Sequence, residues 1–141
     1  MKKSRFWIAV LAGGVVGNLL DGIVQGYLLE RVYYEKAPDV FRMSQSPTWF
    51  ALGDFLAALI LGWVYDRVVQ NFKPGVRGGM LFGLYAGLIS GIPFYFFNYL
   101  MIRGYELSLA AVSTVYMIIW YVIVAAAISL IYRRESSVGV P

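Results

Sequence analysis

The chain of 141 residues contains no cysteine and no histidine. Without cysteine there are no disulfides, no thiol redox chemistry and no thiolate metal sites. Without histidine there is no imidazole ligand and no histidine-assisted nucleophile, and a haem would have to rely on methionine or tyrosine. Charge is scarce as well: 14% of residues are Asp, Glu, Lys or Arg, against 60% hydrophobic and 17% aromatic. A soluble domain of this size has too little interior to hide so much apolar surface, so the composition is that of an integral membrane protein. No Walker loop, dinucleotide fingerprint or spaced carboxylate metal motif is present either. We therefore expect neither an enzyme nor a cofactor, with no soluble domain to hold either.

What is present is a set of long apolar runs. Crossing a hydrocarbon core of about 30 Å takes about 20 helical residues, and four windows qualify, at 6–29, 48–65, 78–102 and 107–132. The runs are continuous and do not alternate, which excludes a membrane barrel. The expected fold is an all-α membrane protein, one transmembrane bundle of four helices over 1–141. Ser46-Pro47 suits a helix cap followed by a first-turn proline, Lys73-Pro74-Gly75 is a turn, and Arg103 to Glu106 is a tight hairpin. The connection over 30–47 is the one sizeable loop, and its Tyr33, Tyr34 and Phe41 suggest that it lies along the membrane interface. The opening MKKSRFWIAVLAGG imitates a secretory signal, but its apolar run continues too far and lacks a clear small-x-small cleavage site, so we read it as a span.

Basic residues orient the spans. Lys2, Lys3, Arg5, Arg67, Lys73, Arg77, Arg133 and Arg134 lie on one side; Arg31, Lys36, Arg42 and Arg103 lie on the other. Positive charge resists translocation, so both termini are expected in the cytoplasm. The net charge of +4 then reflects topology, and its dispersal among short loops argues against nucleic acid as a partner. Asp66 and Arg67 read as a solvated interfacial pair at the cytoplasmic end.

The run GGMLFGLYAGLISGIPF places Gly79, Gly83, Gly87 and Gly91 at an unbroken four-residue period. Each glycine costs a helix about 1 kcal/mol relative to alanine, so something other than propensity must hold this segment. Lipid solvates leucine as well as a second helix does, and membrane helices therefore associate where small residues let backbones approach. The four glycines form one smooth glycine-zipper face. Its occupant is open at this point: the first span offers Gly13, Gly17, Gly22 and Gly26, the second Gly53, Ala57, Ala58 and Gly62, and the fourth Ala125, Ala126, Ala127 and Ser129. A second copy or a membrane-protein partner is the alternative. Pro93 frees the carbonyl of Ile89, so a kink is expected there, with Ser90 able to compensate. Laid 65 residues apart, Gly13, Gly14, Leu19, Gly22 and Gly26 fall on Gly78, Gly79, Leu84, Gly87 and Gly91, a faint sign of two parallel hairpin repeats.

Ionisable groups inside a membrane are costly and are read as functional by default. Asp21 and Asp54 qualify, at depths of roughly 12 Å and roughly 9 Å below the outer boundary at 1.5 Å per residue. Asn18, Asp21 and Gln25 share a face of the first span; Tyr95 and Asn98 on the third, and Ser113, Thr114 and Tyr116 on the fourth, reach similar depth. No lysine or arginine belongs to this layer, unless Arg103 folds back from the hairpin. Two carboxylates so placed are expected to share a proton or bind a cation; the alternatives are protonated register pins bonded to their Tyr and Asn neighbours, or an Asp54 that faces water near the surface. The aromatic segments PFYFFNY and VYMIIWY read as interface belt and packing.

A glycine-rich first span ending in GYLLERVYY, a second opening with PTWFALGDF and running through LILGWVYD, then GVRGGMLFGLYAG, resemble a group of small bacterial four-span membrane proteins known as a domain of unknown function. The resemblance implies the bacterial inner membrane and a four-helix bundle, and brings no activity and no site residues. Two functions follow from the residues. One is a non-enzymatic structural or accessory subunit working through helix faces such as the glycine stripe. The other is a small proton- or cation-coupled carrier or channel using the polar layer. The lipid bilayer is the common partner of both.

Overall fold

The computed structural model describes residues 3–35 and 46–132. Lys2, Lys36, Phe41, Arg42, Arg133 and Arg134, used above for the loop and for orientation, lie outside the described residues. Four α-helices carry the described residues: α1 Lys3–Ile23, α2 Pro47–Val68, α3 Val76–Met101 and α4 Leu107–Ile131. Each is long and apolar enough to cross a membrane. The protein is thus a multi-pass helical membrane protein on the evidence of length and composition.

The first helix departs from expectation. Beyond Ile23 it continues as a π-helix over Val24–Tyr34, with the amide of Glu35 donating to the carbonyl of Glu30, five residues back, at 3.0 Å. Tyr33 and Tyr34 therefore complete a helix and do not lie in the loop along the interface. Glu30 and Arg31 end the apolar window, but both are good helix formers, so hydropathy ends before the helix does. The guanidinium of Arg31 sits 4.5 Å over the ring of Tyr27.

The other ends follow local chemistry. Ser46 caps α2, its Oγ accepting from the amide of Thr48 at 3.3 Å, with Pro47 in the first turn. After a 3₁₀ turn over Val69–Asn71, Gly75 takes φ +87°, a value that side chains resist, and turns the chain into α3. The fold-back is tight: a Cβ on Gly78 would stand 1.8 Å from the carbonyl oxygen of Lys73. Helix α3 continues through Pro93 to Met101. Gly104, at φ +86°, and the bond from the amide of Tyr105 to Ile102 O at 3.1 Å close the hairpin into α4.

The helices run antiparallel to their neighbours. On α3, Gly79 meets Ala125 and Ser129, Gly83 meets Tyr121 and Val122, Gly87 meets Ile118, and Gly91 meets Met117 and Thr114. On α1, Gly13 meets Val124 and Ile128, and Gly17 meets Trp120; Gly14 packs against Phe55 of α2. In each pair one number rises as the other falls. Helix α4 is thus the hub, with α3 and α1 both laid along it and α2 laid along α1. The glycine stripe is filled by α4 of the same chain, at Gly79, Gly83 and Gly87 at distances only glycine permits: a Cβ on Gly83 would lie 2.4 Å from the carbonyl oxygen of Tyr121.

Two buried clusters result. At the end bearing the termini, Ala9, Ala58, Leu61, Tyr65, Phe82, Val124, Ala125 and Ile128 pack together, reaching up to Trp120 and Tyr116. At the hairpin end, Tyr95, Tyr105, Leu109 and Ala110 form a second cluster, with Tyr33, Tyr34 and Met117 against it. The outward faces stay apolar, with Trp7, Leu11, Val15, Leu19 and Ile23 exposed on α1, and Leu52, Leu56, Ile60 and Trp63 on α2. An exterior this greasy suits lipid. Asp66 differs from expectation: it is half-buried and accepts the hydroxyl of Tyr132, while Arg67 lies 5.3 Å over the ring of Trp63.

Candidate polar site at the hairpin end

The site grows from one stripe on α1. Gly13, Gly17 and Asp21 recur every four residues and so share a face, and on antiparallel α4 the matching stripe descends from Val124 through Trp120 to Tyr116. Glycine lets the two backbones close. Trp120 Nε1 donates to the carbonyl of Gly17 at 3.3 Å, which sets the register. One turn further on, the hydroxyl of Tyr116 donates to Oδ1 of Asp21.

Asp54 enters from α2. It is 8% exposed, and its carboxyl interacts with that of Asp21. Its Oδ2 is buried without a hydrogen-bond partner among the described residues. Orphaned buried oxygens are uncommon, because each costs about 1–3 kcal/mol, more for a charged group. Two ionised carboxylates are acceptors only, so direct contact between them requires a proton or a cation. Arg103 is exposed on the hairpin, so the structure does not fold it back to supply that charge.

Of the other residues singled out from sequence, Tyr95 joins the centre: it is buried on α3 and within electrostatic reach of Asp21, Tyr34 and Tyr105. Gln25 and Asn98 join through tyrosines. The Oε1 of Gln25 accepts the hydroxyl of Tyr34, and Asn98 shares the hydroxyl of Tyr105 with Ser113. Asn18 turns its amide to backbone, donating to Gly14 O at 2.9 Å and more weakly to Ala51 O at 3.4 Å, where it ties α1 to α2. Thr114 stands apart. Its hydroxyl donates to the carbonyl of Ala110 at 2.8 Å, one turn back on its own helix.

Two members escaped sequence reasoning. Tyr34 and Tyr105 were read as loop and hairpin residues, yet the first is half-buried and the second buried. For Tyr34 a signal existed, since no breaker separates Leu29 from Tyr34. For Tyr105 none did, because a four-residue hairpin does not say which side chain folds inward. Tyr105 lies between the spans, and burial pushes its hydroxyl above the usual value near 10, opposed by the hydrogen bonds with Ser113 and Asn98. It remains a neutral hydroxyl, able to donate and accept, throughout the neutral range.

The assembled chemistry is two carboxyls and four hydroxyls drawn from all four helices and one hairpin. Such a set can accept, hold and pass a proton. No family model, curated protein or solved structure matches this chain, so its function must be argued from this site.

Proposed function

We propose that the chain is a small carrier or channel of the bacterial cytoplasmic membrane that takes up and releases a proton at the Asp21 and Asp54 pair. The observation that carries the reading is the carboxyl of Asp54, buried against a second carboxyl, with one oxygen unmatched and no basic side chain beside it among the described residues. A structural pin would be better served by asparagine, which offers its own donor and needs no proton. The accessory-subunit reading loses its main motive, because the glycine face that would have received a partner holds α4 instead. Both termini are proposed to be cytoplasmic, from the eight basic residues on that side against four on the other.

The test is infrared difference spectroscopy of the protein in lipid nanodiscs across a pH titration. A protonated-carboxyl carbonyl band that comes and goes with pH in the wild type, and is absent from Asp54→Asn, supports the reading. A wild-type spectrum with no such band overturns it. Single cysteines placed at Ser44 and Ser136 should label from outside and inside respectively, and labelling of Ser136 from outside reverses the orientation.

A further inference from the structure

The two buried clusters differ in what they offer a proton. Resting on the carboxyl-pair reading above, we propose that the pair exchanges its proton toward the hairpin end alone, through the hydroxyls of Tyr116, Tyr95, Tyr105 and Tyr34.

Among the described residues, the titratable groups that act on Asp54 are Asp21 of α1 and Tyr116 of α4. Tyr116 bonds Asp21 directly. Above it, Tyr95 of α3 stands within electrostatic reach of Tyr116, Asp21, Tyr105 and Tyr34, and also of Tyr121, whose ring packs edge-on against Trp120 outside the hairpin-end cluster. Tyr105 is packed with Tyr95 in one cluster, and Tyr34 lies against that cluster. Tyr34 is followed at once by exposed Glu35, where the π-helix ends. Each hydroxyl takes a proton on a lone pair and gives up its own to the next, so a proton can travel with no net change in any tyrosine. The wider winding of the π-helix belongs to this arrangement, since it carries the hydroxyl of Tyr34 back to Gln25, nine residues earlier.

Toward the termini the next described carboxyl, that of Asp66 bonded by Tyr132, and the buried Tyr65 lie beyond an apolar layer. Below Tyr116 come Trp120, Val124, Ala58, Leu61 and Ile128, all buried. The Trp120 indole N–H is committed to the carbonyl of Gly17, and the hydroxyl of Ser129 to that of Ala126 at 2.8 Å. Neither belongs to the tyrosine cluster at the hairpin end. Hydroxyls on one side of the pair and an apolar layer on the other make its proton exchange one-sided.

The experiment follows the carbonyl band of the pair after a rapid pH jump in nanodiscs, for the wild type, Tyr95→Phe, Tyr105→Phe and Ser113→Ala. Phenylalanine keeps the ring packing and deletes the relay atom. We expect Tyr95→Phe and Tyr105→Phe to slow protonation by roughly tenfold or more at unchanged amplitude, since a positioned relay group contributes at least that much to proton transfer. Ser113→Ala, which leaves the Tyr105 ring untouched, should slow it less, and serves if either phenylalanine variant does not fold. Tyr65→Phe, beyond the apolar layer, should match the wild type. Wild-type rates in all the hairpin-end variants would overturn the route while leaving the carboxyl reading intact. A missing band in the wild type would instead sink that reading, and the route with it.

Discussion

The half of the bundle nearer the termini and the half nearer the hairpin are built by different physics. The first is joined chiefly by small residues and methyl groups: Gly79 and Gly83 against Ala125, Gly13 against Val124 and Ile128, Gly62 against Val10, with the bond from Tyr132 to Asp66 at its outer edge. The second is joined by hydroxyls, carboxyls and amides: Asp21 with Tyr116, Gln25 with Tyr34, and Asn98 and Ser113 with Tyr105. In water both would be overshadowed by the burial of apolar surface. In lipid that force vanishes between helices, because the outward leucines are as well solvated as the inward ones. What remains is contact distance and hydrogen bonding, and this chain leans on the first toward the termini and on the second toward the hairpin. Contact adds rigidity without chemistry, whereas hydrogen bonding leaves groups that can change their protonation.

The comparison breaks most severely at Gly83. A leucine there would drive its Cβ into Tyr121 O and Val122 Cα, 2.4 and 2.7 Å away, with backbone that cannot step aside. We expect Gly83→Leu to cost about 3 kcal/mol or more, the upper range for overpacking, and to be seen as a large fall in thermal stability in detergent. Gly87→Leu, with Ile118 Cα at 2.8 Å, should follow closely and be worse than Leu88→Ala, whose side chain is half-buried. Unchanged stability in both glycine variants would mean that α3 does not lie on α4.

The hairpin half should respond in the opposite manner, losing chemistry before stability. Asp54→Asn is expected to alter stability by about 1 kcal/mol or less, because the amide fills the same space and brings its own donor. The same change should flatten any dependence of thermal stability on pH, sodium or potassium over the neutral range. If the wild type and Asp54→Asn give superimposable pH and ion profiles, the pair does no proton or cation work.

Smaller effects sharpen the boundary between the halves. Trp120→Phe deletes the 3.3 Å bond to the carbonyl of Gly17 while keeping an aromatic ring, and should cost about 1 kcal/mol by thermal unfolding. Gly22→Leu is the control. Nothing lies within 4 Å of the position, so the change should be neutral or should stabilise by up to about 1 kcal/mol through better helix propensity. Set beside Gly87→Leu it is a direct comparison, since the two glycines correspond in the faint 65-residue repeat. A large loss at Gly22 would show that this face is covered by another molecule.

That repeat shows where reading a sequence runs out. Gly22 and Gly26 face open space, whereas Gly87 and Gly91 press on α4, although the pairs align. Spacing tells that residues share a face, and it does not tell what the face meets. The same limit governed the polar layer. Asp21, Asp54, Tyr95 and Tyr116 were legible because ionisable and hydroxyl groups at one depth must find each other in lipid. Thr114 has the depth and the chemistry too, but it satisfies itself on its own helix, a choice made by one rotamer. Tyr34 was hidden by Glu30 and Arg31, which end an apolar window without ending a helix. Asp66 was assigned to water and to Arg67, but Tyr132 from the end of α4 reaches it first.

The sequence by itself determined the solvent and the count: so little charge, no cysteine or histidine and four apolar runs leave no fold but helices in a bilayer, where every backbone group must be satisfied within its own segment. It also determined that the glycine face must be filled, since nothing else repays four glycines in one helix. The tertiary structure alone decided which helix fills it, because the first, second and fourth spans all carried small residues and only backbone geometry separates them. It alone decided that α4 serves both α1 and α3, bringing Tyr116 to Asp21 and Tyr95 near it. Helix periodicity is a property of one segment, while the meeting of two carboxyls and four hydroxyls is a property of how segments cross, and lipid, indifferent to which apolar face it touches, leaves that crossing to contact and hydrogen bonds.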